Sequence, residues 1–149
     1  MARSQNIVAS VLIFLTLFLI ASLSTSNDYV SFRAAPTTTT TVTHTVLFQF
    51  KADANPEHVH AACARFLSLK DACIHPTTQT PYITSLQGGK DNSAEGRQNG
   101  ITHGFIVEFA SAEDRDYYVG TDPIHQAFVK SLDGLVEKAI VIDFRNGVY

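Results

Sequence analysis

Alternation between apolar and polar positions is clearest at Val42–Lys51, "VTHTVLFQFK". Val42, His44, Val46, Phe48 and Phe50 fall on one side, and Thr43, Thr45, Leu47, Gln49 and Lys51 on the other. A period of two with β-branched and aromatic residues predicts a strand. "ADANP" then turns the chain, with Asn55 as cap and Pro56 in the first turn of a helix. Within it Val59, Ala62, Cys63, Phe66, Leu69 and Cys73 recur at helical spacing and make an apolar stripe. "HPTTQTP" ends the helix. Tyr82–Gly89 predicts a second strand, Gly88–Gly100 a polar, glycine-rich loop, and Ile101–Ser111 a third strand with His103, Phe105, Val107 and Phe109 on one face. Ser111 caps a short helix, with Asp114 placed to close a capping box, and Gly120 stops it. Asp122 and Pro123 open another short helix to about Leu132, and the dense apolar run Glu137–Asn146 is the fourth strand.

The order β-α-β-β-α-β, with the second helical segment split in two, predicts an α+β fold: a ferredoxin-like sandwich with helices on one face of a four-stranded sheet. Strand four has few polar positions, and the helices can cover only one face. The other needs cover, and a second copy of the chain is the simplest one, giving a homodimer through the open sheet face.

The first 41 residues follow other rules. Ile7–Leu23 carries no charge and follows Arg3, and Ser22, Ser24 and Ser26 come at its end. Residues 1–26 therefore read as a signal peptide or a membrane anchor, the run being long for the first and short for the second. Residues 27–41, rich in Ser and Thr, read as a linker, and 42–149 as the domain. Such a leader implies a secreted or membrane-anchored protein, with a cytoplasmic location as the alternative and membrane contact only through this segment. Cys63 and Cys73, the chain's 2 cysteines, would be about 15 Å apart along one helix, too far to bridge. Free thiols suit a cytosolic origin, in tension with the leader.

Charge and motif narrow the chemistry. The formal net charge is -3, with no Lys/Arg-rich run, so nucleic acid is not an expected partner. Gly88-Gly89-Lys90 lacks the spacing of a phosphate loop. No His-x-x-His or Cys-x-x-Cys pair supports a metal site, His58 and His60 point different ways on their helix, and nothing calls for a cofactor. His44 and His103 each open a strand after a threonine. With strands one and three side by side and parallel, the two imidazoles would meet on one face.

"VTHTVLFQFK", "GITHGFIVEFASAEDRDYY", "DPIHQAFV" and "IVIDF" together resemble the stress-responsive dimeric α/β-barrel domain family over nearly all of residues 42–146. That family includes a plant polyketide cyclase. The resemblance implies two chains with sheets packed back to back, each keeping a pocket between its own sheet and helices. It also implies a catalytic pair at His125, matched through the Asp-Pro-x-His segment, and Tyr118, with Tyr117 as a neighbour able to fill the role. An imidazole can take a proton from a carbon between two carbonyls, and a phenol can hold the oxygen that gains charge. Val46, Phe48, Phe66, Phe105 and Phe128 would form the apolar wall, with His44 and His103 as polar contacts to substrate. Three functions are consistent with these residues. One is a homodimeric stress-response module, small-molecule-binding or stress-related, without turnover; in the plainest reading His125 is only a helix-start residue. A second is a polyketide cyclase-like or lyase enzyme. A third is a heme- or hydrophobic-ligand protein.

Overall fold

The computed structural model describes residues 41–149. The expectations for residues 1–40 lie outside them. Among the described residues no helix is long and apolar enough to cross a membrane. The elements are β1 (Val42–Phe50), α1 (Pro56–Ala72), β2 (Ile83–Lys90), β3 (His103–Phe109), α2 (Ala112–Gly120), α3 (Pro123–Lys130) and β4 (Val136–Phe144). The expected elements are all present, with ends moved by one or two residues. The Asn55 side chain accepts the Glu57 N–H at 2.8 Å and starts α1. Ser111 caps α2 by accepting the Asp114 N–H at 3.1 Å. Its hydroxyl also donates to the Asp114 carboxylate at 2.9 Å, in place of the reciprocal backbone bond of a full capping box.

The sheet order is β2-β3-β1-β4, and every neighbouring pair is antiparallel. This corrects the expectation of parallel first and third strands. In a split β-α-β unit the parallel strands are β1 and β2. The β2–β3 hairpin returns β3 between them in the opposite direction. The register pairs His44 with Val107 and Phe48 with His103. Four residue steps, about 13 Å, separate the two histidines along the sheet. They share a face but sit toward opposite ends of it.

The alternation in β1 holds over its whole length. Val42, His44, Val46, Phe48 and Phe50 are buried, and the intervening residues are half-buried. Under α1 and α3 the core is mostly aromatic. Phe66 stacks on Phe105 at 4.4 Å and on Phe128 at 4.9 Å between ring centroids, and Phe48 lies 5.8 Å from Phe105. Offset and tilted rings at these distances add to the gain from burial. On the opposite face the register lines up Leu47 with Ile140, Thr45 with Ile142 and Ile106, and Thr43 with Phe144. Ile106, Ile142 and Phe144 are exposed there, Ile142 at 55%.

Both cysteines are free. The first helix runs to Ala72, so the axial spacing that forbids a bridge is met.

Gly88 stands opposite Phe105 in the β2–β3 ladder. A Cβ there would run into the Phe105 ring and lie 2.5 Å from the Gly104 carbonyl oxygen. Backbone cannot yield as a flexible side chain does. Gly88→Ala should cost about 1–3 kcal/mol, read as a lower midpoint in urea unfolding at unchanged slope.

Candidate functional site

The corner between α2 and α3 is built around one carboxylate. Thr121 and Asp122 both donate their N–H to the Tyr117 carbonyl, at 2.8 and 2.9 Å, which ends α2. Asp122 then caps α3, its Oδ1 accepting the N–H of Ile124 at 2.7 Å and of His125 at 3.1 Å. Its Oδ2 accepts the Tyr82 hydroxyl at 2.6 Å. The residue is 1% exposed and has no cationic partner among the described residues. Three donors and the positive end of a helix stand in for water. Cys73 lies beside it, and burial, with Asp122 adding to the effect, pushes the thiol up to about 12. It is an inert core thiol. Burial and the same carboxylate also raise the Tyr82 phenol well above its ordinary value.

This corner brings the expected pair together. The rings of Tyr118 and His125 stack with centroids 3.8 Å apart at 30°. Tyr118 is fully buried, and burial raises its phenol above the ordinary range, so it is a neutral donor. His125 is half-buried, and burial lowers its pKa. Interaction with the Tyr118 backbone opposes that shift, nearby His44 adds to it, and Asp122 opposes it. The Tyr118 hydroxyl and the His125 Nδ1 are both buried without a hydrogen-bond partner among the described residues. Leaving such groups unpaired costs about 1–3 kcal/mol each.

His44 is the third member. It is 5% exposed, with its ring edge-on to Tyr118 at 5.9 Å and to Phe109 at 6.3 Å. Its Nδ1 meets Asp143 Oδ1 at 2.6 Å, and Arg115 holds the other oxygen of that carboxylate. A carboxylate on Nδ1 fixes the tautomer and leaves Nε2 as the acceptor of the neutral ring. Sequence reasoning missed Asp143, Arg115 and Tyr82. An acid placed between apolar residues in "IVIDF" of β4 was the available signal. Its partner lies 99 positions away and depends on strand register.

The remaining expected contacts divide. Val46, Phe48, Phe66, Phe105 and Phe128 are all buried in the aromatic core. His103 is not brought to His44. It is edge-on to Phe50 at 4.9 Å and faces a separate cavity of 590 Å³ that Tyr118 and His125 do not line. Tyr117 is half-buried and packs against Tyr82 and His75 at 5.6 and 5.7 Å, so the structure places Tyr118, not Tyr117, on His125. Among the described residues no group of three or more His, Cys, Asp or Glu could hold a metal ion.

A family model, the stress responsive A/B barrel domain, matches residues 42–146. The chain belongs to that family. Comparison with curated proteins finds no match. Among solved structures, an Arabidopsis thaliana protein is similar at 29% identity and a TM-score of 0.61, covering 72% of this chain and 97% of its own. A hydroxynitrile lyase from Passiflora edulis shares the fold at 21% identity and a TM-score of 0.62, over 74% of this chain and 98% of its own. A dimeric protein with a ferredoxin-like fold from Bacteroides fragilis shares it at 22% identity and a TM-score of 0.54, over 70% of this chain and 95% of its own. Proteins that share this fold thus include a hydroxynitrile lyase and one called dimeric.

Asp122→Ala should remove the α3 cap and strand the buried Tyr82 hydroxyl, at a combined cost of about 2–4 kcal/mol. Asp122→Asn keeps an oxygen for the two N–H groups and should lose less. Urea unfolding of both variants measures the difference.

Proposed function

We propose that this A/B barrel protein is a homodimer that binds a small, largely apolar carbonyl compound at Tyr118 and His125, with His44 alongside. The observation that carries the reading is the pair of unsatisfied atoms, the Tyr118 hydroxyl and the His125 Nδ1, on stacked rings. A core that served packing alone would gain by replacing them with apolar groups. A ligand oxygen can accept from the phenol, and a neutral imidazole can pair with a ligand hydroxyl or an enol. Phe109, packed on both His44 and Tyr118, suits an apolar remainder. Binding without turnover is the first reading, because two unpaired polar atoms account for holding a ligand and for nothing more.

The His44–Asp143 pair favours a second reading, an enzyme of the cyclase or lyase kind. A second oriented imidazole beside the phenol could move a proton to or from a carbon next to a carbonyl. Dimerisation through the open sheet face is supported by the exposed row Ile106, Ile142 and Phe144 and by the relatives called dimeric. The uncharged run Ile7–Leu23 supports export or membrane anchoring.

Benzoylacetone, an aromatic diketone, is a suitable probe. The full-length protein should bind it in ligand-detected NMR, and Tyr118→Phe and His125→Ala should each weaken binding at least about fivefold, the size of one lost hydrogen bond. No binding by the wild type, or binding by both variants as tight as that of the wild type, overturns the site. Deuterium exchange at the central carbon of benzoylacetone, faster than in buffer and abolished in His125→Ala, is the outcome expected of the enzyme reading.

Dimerisation has its own test. Ile142→Glu places a charge on the open face and should convert a wild-type dimer to a folded monomer in sedimentation velocity. A wild type that sediments as a monomer removes the dimer.

A further inference from the structure

A neutral imidazole carries one ring proton, on Nδ1 or on Nε2, and a free histidine favours Nε2. The choice matters at His44. A proton on Nδ1 makes Nε2 an acceptor, and a proton on Nε2 makes it a donor. The Tyr118 phenol beside it is already a donor, kept neutral by burial. A second donor would duplicate it, whereas an acceptor complements it.

Asp143 sets that choice, and the fold leaves Asp143 loosely held. The register puts it directly opposite His44 on β4, which ends the sheet and has a neighbour on one side only among the described residues. Its Oδ1 meets His44 Nδ1 at 2.6 Å, yet its side chain is 30% exposed. Water competes for a carboxylate that it can reach. Arg115 removes the freedom to turn away. From α2 its guanidinium donates through Nη1 to the other oxygen of Asp143. Its Nε donates to Asp116 Oδ1 at 2.7 Å, and the arginine side chain is itself only 22% exposed. A planar fork gripped at two points fixes the carboxylate it holds. An ammonium on a flexible stem fixes it less well. The chain of contacts thus runs inward from Asp116 at the surface, through Arg115 and Asp143, to the buried ring of His44.

We infer that Arg115 is a positioning residue of the Tyr118–His125 corner. It keeps Asp143 turned onto His44 and so holds the imidazole with its proton on Nδ1 and with Nε2 as an acceptor. The effect on a ligand rests on the reading of that corner as a ligand site. The tautomer of His44 does not, because it is read with no ligand present. An ion pair that only fastened α2 to β4 would leave the tautomer as it is.

Long-range proton–nitrogen NMR of the full-length protein, at about pH 8 where an ordinary imidazole is neutral, reads the tautomer directly. The wild type should show the His44 proton on Nδ1. Arg115→Met keeps the aliphatic length and loses the fork. In it the ratio of the Nδ1–H to the Nε2–H form should fall at least about tenfold, the effect of losing one charge-assisted hydrogen bond. Arg115→Lys returns the charge and should recover part of that fall. Benzoylacetone should bind Arg115→Met at least about fivefold more weakly than the wild type. A wild-type His44 with its proton on Nε2 overturns the inference. So does an unchanged ratio in Arg115→Met, even beside a lower midpoint in urea, since the ion pair is then a fastening only. A changed ratio with unchanged benzoylacetone binding also overturns it, because Arg115 then orders the ring without serving the site. If the wild type binds no benzoylacetone, the ligand site falls and the tautomer ratio alone decides for or against Arg115. Should Arg115→Met fail to fold, Arg115→Gln replaces it, with the ratio expected to fall in the same direction.

Discussion

The Asp122 carboxylate is the contact on which the rest of the site depends. It holds the first N–H groups of α3, the hydroxyl of Tyr82 before β2 and, beside these, the Cys73 thiol at the end of α1. Three parts of the chain far apart in sequence thus converge on one buried charge. Donors on every side make that charge tolerable, whereas any one of them left alone would be costly. The stacking of Tyr118 on His125 follows from it. The cap fixes where α3 begins, and the Tyr117 carbonyl fixes where α2 stops.

Local rules were enough for most of the architecture. The two-residue alternation in β1, the apolar stripe of α1 and the Asx-Pro starts of α1 and α3 each depend on neighbours within a few positions. The structure keeps all of them. Even the split of the second helical segment was legible from Asp122-Pro123, although Gly120 is the last residue of α2 and not a left-handed stop beyond it, the cap being Thr121. Sequence reasoning failed where strand direction entered. His44 and His103 look alike along the chain, each following a threonine, but β1 and β3 run in opposite senses. A periodicity argument assigns a side chain to a face. It carries no information on which end of that face is reached. The Asp143 partner of His44 was illegible for the same reason, since cross-strand register sets it.

The antiparallel pairing therefore divides one expected pocket between two places. At one end a phenol, two imidazoles and a carboxylate lie close together, largely withdrawn from water, where polar interactions are strong. At the other, Lys51, Lys90 and His103 line an apolar hollow. The aromatic core of Phe48, Phe66, Phe105 and Phe128 fills the space between them.

The state of the two sulfur atoms has a further consequence. Neither is bonded to the other, and Cys73 is sealed at 0% exposure with its proton held tightly. The domain thus owes none of its stability to oxidative cross-linking. It can reach the same native state under the glutathione of the cell interior or beyond it, with no oxidoreductase to assist.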